Sequence, residues 1–273
     1  MNFRFWLSIA AALAALAALA FFAFDNKLTL RQYTVQTRKL TSPVRLAVIA
    51  DLHSCGFGND QDELLALVRA QQPDAILFAG DILDDVLPPE PALLALETLA
   101  GEYPCYYVSG NHEVYCGALG QIKRAVEKRG VKVLDGDADQ LRVRGETITI
   151  CGVDDPAYGK EHFSSQLASA AYLADFDRFS ILLAHRPERI ADYCAFPYDL
   201  VISGHAHGGQ WRLPGLINGL YAPNQGLFPK YAGGVYPYGD ASLVVSRGLS
   251  LATHIPRVFN PPELVCVDIK PIS

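Results

Sequence analysis

Residues that bind metals or carry protons recur at the ends of short apolar runs: Asp51 and His53, Asp81, Asn111 and His112, His185, and the pair His205 and His207. No hydrophobic core needs that set, so together it reads as a two-metal hydrolytic site. Carboxylate oxygen, amide oxygen and imidazole nitrogen mixed without thiolate suit borderline divalent ions such as manganese, iron or zinc. Two such ions at ~3.5–4 Å clamp the attacking and leaving oxygens of an in-line displacement, and ions of this kind lower the pKa of bound water to about 7 in the best zinc case. A hydroxide nucleophile then exists at neutral pH without a protein base, and a carboxylate shared by both ions is the natural bridge.

The elements that must position these groups are legible as apolar runs. Val44 to Ala50 is β-rich and follows Pro43, as a buried strand of a parallel or mixed sheet does, so Asp51-Leu52-His53 sits at its C-terminal edge. Ala75 to Ala79 ends in Gly80-Asp81, and Cys105 to Ser109 ends in Gly110-Asn111-His112-Glu113. The spacing from Asp51 to Asp81 and from Asp81 to Asn111 is 30 residues each, about a strand, a crossover helix and the next parallel strand. Gln61 to Gln71 and Pro91 to Ala100 carry helical apolar spacing between them. Phe179 to Ala184 ends in His185, and Asp199 to Ser203 ends in Gly204-His205-Ala206-His207. Sites in open α/β sheets gather outside the carboxyl ends of strands, so all five ends should converge.

These motifs, in this order, resemble the calcineurin-like metallophosphoesterase superfamily. The resemblance spans Leu46 to His207. Through Gly208-Gly209-Gln210 and the loop Ala222-Pro223-Asn224-Gln225-Gly226 it is similar to the membrane-anchored bacterial phosphodiesterase branch. It implies a four-layer α/β/β/α sandwich with the motifs at one edge of two packed sheets. It further implies that Asp51, His53 and His207 hold the first metal, that Asn111, His185 and His205 hold the second, and that Asp81 bridges them. His112 is then the histidine near the scissile phosphate, stabilising the transition state or protonating the leaving oxygen. Two departures stand out: the loop Ser54-Cys55-Gly56-Phe57, and Ala206 where relatives often carry threonine. Cys55 reads as a small buried hydrophobe more than as a soft metal contact, and Ala206 should point away from its neighbours.

Other residues have plainer readings. His162 and His254 look like surface or satisfied core histidines. Asp154 and Asp155, after a strand from Thr147 to Val153, more readily open a turn before Pro156 than reach a substrate. Gly80, Gly110 and Gly204 let the backbone approach a metal or phosphate. Cys55, Cys105, Cys116, Cys151, Cys194 and Cys266 show no paired metal spacing and read as reduced residues.

With 273 residues, 50% of them hydrophobic, the chain supports one large catalytic domain, here residues 44–273, behind a linker and first strand at 25–43. A strand from Gln32 to Arg38 would put Tyr33, Val35 and Thr37 on one face; later strands are expected at Ala241 to Ser246 and Leu264 to Ile269. The net charge of −6 leaves no generic basic surface, so no nucleic-acid partner is expected. Phe5 to Phe24 is a 20-residue apolar stretch, long enough to span a bilayer and read as an uncleaved anchor within residues 1–24, with a signal peptide or a soluble core helix as alternatives. Lys27, Arg31, Arg38, Lys39 and Arg45 follow it against Arg4 before it, which favours the inner (plasma) membrane with a cytoplasmic catalytic domain over a periplasmic or extracellular one. Trp211 to Asp240 is rich in Gly, Pro and aromatics, and is either an ordered surface loop or an apolar lip for acyl chains or the membrane. The expected activity is hydrolysis of a phosphodiester or pyrophosphate on a membrane-associated substrate, of the UDP-2,3-diacylglucosamine kind. The alternatives are a general phosphodiesterase or protein phosphatase, and a non-catalytic membrane-tethered interaction module.

Overall fold

The computed structural model describes residues 3–251 and 255–272; His254 lies outside them. Helix α1 (Phe3–Ala23) is followed by β1 (Thr29–Thr37), β2 (Val44–Ile49), α2 (Asp62–Gln71), β3 (Ala75–Ala79), α3 (Glu90–Ala100), β4 (Cys105–Val108), α4 (Asn111–Tyr115), α5 (Leu119–Glu127) and β5 (Lys132–Val133). Then come β6 (Asp137–Val143), β7 (Glu146–Gly152), α6 (Lys160–Leu173), β8 (Phe179–Leu183), α7 (Ile190–Tyr193) and β9 (Leu200–Ser203). The C-terminal part adds β10 (Tyr221–Ala222), β11 (Gly226–Leu227), β12 (Gly234–Tyr238), β13 (Ala241–Val245) and β14 (Glu263–Pro271).

Two six-stranded sheets form, ordered β1-β14-β2-β3-β4-β5 and β12-β13-β9-β8-β7-β6. Period-2 alternation divides each buried strand between two cores. Val44, Leu46 and Val48 of β2 join Ile148, Ile181 and Ile202 of the facing sheet in the central core. Ala47 and Ile49 of β2 instead pack with Leu64, Val68, Leu96 and Leu99 of α2 and α3. Leu182 and Val201 face Phe163, Leu167 and Tyr193 of α6 and α7. Helices therefore cover the outer face of each sheet, and the expected four-layer sandwich is present. The strands β2, β3, β4 run parallel, as do β7, β8, β9 and β13, which brings their carboxyl ends to a common edge.

Most expected elements agree to within one or two residues. The strand expected at Gln32 to Arg38 begins three residues earlier, because Thr29 to Thr37 pairs along its whole length with β14. Val35 and Thr37 are buried on one face, with Tyr33 beside them half-buried. The Trp211 to Asp240 stretch is more ordered than a loop: it holds the β10–β11 hairpin and edge strand β12, which pairs antiparallel with β13 from Gly234 to Tyr238. Its aromatics divide accordingly. Tyr231 is buried, while Phe228 is 65% and Trp211 45% exposed.

Helix α1 is no core helix. Its apolar span Phe5–Ala23 has mean hydropathy 2.3 and is nowhere buried against the domain before its last residue, so it is long and apolar enough to serve as a membrane anchor or a signal sequence. Only its end engages the domain: Ala23 is buried, and its carbonyl accepts from Phe259 N–H at 2.7 Å.

Candidate metal centre

Each site residue lies just past a strand end, where the chain leaves the sheet. Asp51, His53, Asp81, His205 and His207 all have positive φ, between 45° and 66°. Non-glycine residues adopt this left-handed region at a cost of order 1–3 kcal/mol each, and such strain concentrates at functional sites. The surroundings hold it in place. Asp51 N–H donates to Gly80 O at 3.0 Å and His53 N–H to Asp81 O at 2.9 Å. Asp51 Oδ1 accepts from His205 N–H at 2.9 Å, which ties the two sheets together at the site. Glycine makes the room: a Cβ at Gly80 would lie 2.5 Å from His185 Nδ1, and one at Gly204 would lie 2.5 Å from Asp51 Oδ2. A Cβ at Gly110 would strike Asp81, as expected of these three glycines, and Gly248 crowds Asp51 from β13's end in the same way.

The donor atoms gather into overlapping groups. Asp51, His53 and His207 form one, Asp81, His185 and His205 another, and His53, Asp81 and His112 a third; within each, one atom per residue lies within 4.8 Å of the others. Asp81 Oδ2 is 3.0 Å from His185 Nε2 and 3.6 Å from His53 Nε2. Asn111 opens α4 beside them, where Asp81 Oδ1 accepts from the next N–H, of His112, at 2.8 Å. His53 Nε2, His185 Nε2 and Asn111 Oδ1 are buried without a hydrogen-bond partner. Orphaned buried polar atoms are costly, and these converge on a shared carboxylate, as cation ligands do. The donor set thus fits divalent cations.

The far sides of the rings are occupied, which sets the tautomers. His53 Nδ1 meets Asp84 Oδ2 at 2.9 Å, His185 Nδ1 meets Ala79 O at 2.8 Å, and His205 Nε2 meets Asn224 Oδ1 at 2.8 Å. Donation there leaves the opposite nitrogen as the ligand atom. Burial pushes His205 down to about 4 and His207 well below its ordinary value, so both are neutral, the form that ligates. Burial also disfavours charge on His185, but the Asp81 carboxylate outweighs it and raises the ring to about 10. Burial would raise Asp81, yet His185 and His53 hold it well below the usual carboxylate range. This centre favours positive charge.

Further residues matter that the sequence reading assigned no role. Glu113 is wholly buried and its carboxylate accepts from Asp81, Ile82, Leu83 and Gly110 N–H at 2.7–3.0 Å, bracing the turn that carries Asp81. His112 Nδ1 meets Asp85 Oδ1 at 2.6 Å, and its ring lies edge-on to His53 with centroids 4.3 Å apart. Arg186 donates to Asn224 Oδ1 at 2.8 Å and to Asp155 Oδ2 at 2.7 Å. Asp155 also caps the turn at Pro156 by accepting from Ala157 N–H, while Asp154 pairs with Lys123 at 2.6 Å. Cys55 is buried and belongs to none of the donor groups among the described residues. Ala206 packs away from the centre in the core under α6 and α7, and His162 contacts Gln166 outside the site. A cavity of about 490 Å³ opens onto His53, Asp84, His112, His207 and Gln210.

Residues 44–209 match the sequence model of the calcineurin-like phosphoesterases. The chain belongs to the calcineurin-like phosphoesterase family. Among the family's bacterial members it is 29% identical over 253 residues to an uncharacterized metallophosphoesterase of Aquifex aeolicus (strain VF5), covering 89% of this chain and 92% of that one. It is 28% identical over 234 residues to Phosphodiesterase YaeI of Escherichia coli (strain K12), covering 84% and 83%. The NAD nucleotidase NadN of Haemophilus influenzae shares the fold at 18% identity and a TM-score of 0.53, over 77% of this chain and 46% of that one. Family membership makes the protein a metal-dependent phosphoesterase.

Proposed function

We propose that this phosphoesterase hydrolyses a phosphodiester or pyrophosphate of a membrane-associated substrate at a two-metal centre. Asp51, His53 and His207 would hold one cation, and Asn111, His185 and His205 the other, with Asp81 shared. The observation that carries this reading is the set of buried, partnerless atoms, His53 Nε2, His185 Nε2 and Asn111 Oδ1, around a carboxylate that belongs between two donor groups. When bound, two divalent cations would supply Lewis acidity and would lower the pKa of water held there; manganese, iron and zinc all suit the donors.

The chain's own groups do the remaining work. Asp81 and Asp51 carry the negative charge that retains the cations, and the Asp84, Ala79 and Asn224 contacts keep His53, His185 and His205 in register. His112 stands at the cavity mouth, its side chain 31% exposed. Donation from Nδ1 to Asp85 orients the ring, so Nε2 is the atom that meets substrate and gives a proton to the leaving oxygen. The name of the E. coli relative supports a diester, and helix α1 with the exposed Trp211 and Phe228 supports an amphiphilic substrate such as UDP-2,3-diacylglucosamine. Residues 1–24 act as the anchor in this reading, 25–43 join it to the first sheet, and residues 44–273 form the catalytic domain on the cytoplasmic face of the plasma membrane.

The test is hydrolysis of bis-aryl phosphate, aryl monophosphate and UDP-2,3-diacylglucosamine with manganese, zinc or chelator. Metal-dependent turnover of the lipid nucleotide above the aryl diester supports the reading. Equal turnover of both makes it a general phosphodiesterase, and no turnover with any metal, despite stoichiometric metal binding, points first to a narrower substrate and then to the non-catalytic tethered module.

A further inference from the structure

A second polar cavity, of about 370 Å³, opens between the edge strands of the two sheets and is lined by Leu30, Arg31, Tyr33, Arg212, Gly233 and Arg247. Three guanidinium groups meet there, and only two of them, those of Arg247 and Arg31, pair with a carboxylate, that of Glu263. Buried Arg247 is held by Glu263, which accepts from its backbone N–H at 2.9 Å and from its Nε. Arg31 Nε reaches only to 3.8 Å from the same carboxylate. Arg212 donates to neutral acceptors, Gly208 O at 3.3 Å and Asn218 Oδ1 at 2.5 Å. Burial raises the Tyr33 phenol to about 12, so at neutral pH it offers a donor and no charge. Burial, and then the charge of Arg247, push the Arg212 guanidinium below its ordinary value.

The cavity therefore carries three positive charges against the one negative charge of Glu263. Partly buried cations in such excess are costly unless an anion completes the set. Gly233 permits the crowding, since a Cβ there would strike the Arg247 side chain and lie 3.5 Å from Arg212 Nη1. Planar guanidinium groups converging with a phenol form the donor array that phosphate oxygens match.

Location adds a second argument. Arg212 N–H donates to Val258 O at 3.0 Å, and the next residue, Phe259, donates to Ala23 O at 2.7 Å. Arg212 is thus two hydrogen-bonded steps from the end of α1, and Leu30 and Arg31 open β1 shortly after that helix. Cationic pockets beside a membrane span meet lipid headgroups. We propose that Arg31, Arg212 and Arg247 form an anion site, separate from the metal centre, that takes a phosphate group, supplied as the headgroup of an anionic phospholipid or as free phosphate.

The test uses the full chain in maltoside detergent with chelator present, so that phosphate binding at cations of the metal centre cannot contribute and the outcome is independent of catalysis. Thermal unfolding is followed with inorganic phosphate, with dihexanoyl phosphatidylglycerol, and with zwitterionic dihexanoyl phosphatidylcholine, at constant ionic strength. A ligand of the native state raises the midpoint with concentration. We expect such a rise with an anionic ligand, an affinity weakened about tenfold per arginine removed in Arg31→Gln/Arg212→Gln, and a smaller loss in Arg31→Gln, whose half-exposed side chain keeps that variant safely folded. A rise with phosphatidylglycerol alone identifies the headgroup as the source, and equal rises identify free phosphate. No rise with either anion, or one that Arg31→Gln and the double variant leave intact, overturns the site.

Discussion

At the scale of single residues, the roles of Asp81 and His112 separate cleanly in experiment. Asp81 belongs to two donor groups, so Asp81→Ala should remove both cations, with bound metal falling toward zero by elemental analysis and kcat by more than about 10³-fold. His112→Ala should retain metal and lose about 10²–10⁴ in kcat, the range for a general acid. Asp85→Asn, which leaves His112 in place but weakens its orientation, should cost about 10–100-fold with metal retained. Full turnover in His112→Ala with both metals bound would remove that residue from the mechanism. The donor residues were legible in sequence because each strand-end motif follows an apolar run, and all donors but His53 directly follow a glycine or alanine. Glu113 stood inside the Gly110-to-Glu113 motif, yet three of the four backbone N–H groups it accepts from belong to a turn about 30 residues away. Asn224 stood in the Ala222-to-Gly226 loop that carries the resemblance but had no role assigned there, and Gly248 carried no local signal, since their contacts with His205 and Asp51 are made by tertiary folding alone.

At the scale of elements, the strands that bury both faces read plainly as continuous apolar runs, and β2, β3, β8 and β9 stand where those runs stand. The edge strands β6 and β12 did not. β6 is largely polar, and β12 carries Pro237 between two tyrosines, so each owes its form to pairing with β7 or β13 instead of to its own pattern. One clasp between elements sets an acid limit on stability. Asp154, past the end of β7, is buried, which raises its carboxyl, but Lys123 of α5 with Ser109 and Gln166 outweighs burial and holds it below its ordinary value. The ionised form is therefore favoured in the native state, while the unfolded chain takes up the proton near pH ~4. Its stabilisation is present at neutral pH and lost as pH falls through that region and below. Urea unfolding from pH 7 to pH 3 should show this loss, and Asp154→Asn should flatten the acid slope while lowering stability at pH 7 by about 1–3 kcal/mol.

At the scale of the whole molecule, the joint between α1 and the domain determines what the membrane contributes to activity. The helix leaves the domain at Ala23, held by the Phe259 N–H, and the chain from Arg257 to Asn260 that receives it also braces the metal centre: Asn260 Nδ2 donates to His207 O at 2.8 Å. β1 begins only at Thr29 and pairs with β14 in full, so the sheets do not depend on α1. The chain lacking residues 1–24 should therefore fold and turn over a soluble aryl phosphodiester within about twofold of the full chain. Against UDP-2,3-diacylglucosamine in vesicles it should lose at least tenfold in kcat/KM, because a tethered enzyme meets a bilayer substrate at high effective concentration. Removing exposed side chains of the lip, Trp211→Ala with Phe228→Ala, should lower the lipid activity of either form and spare the aryl diester, since those rings are exposed and supply no donor to the centre. Equal losses on both substrates after either change would mean that α1 and the lip act on the fold of the centre itself. Anchor and lip would then be structural supports, and a soluble phosphodiester would be the better substrate.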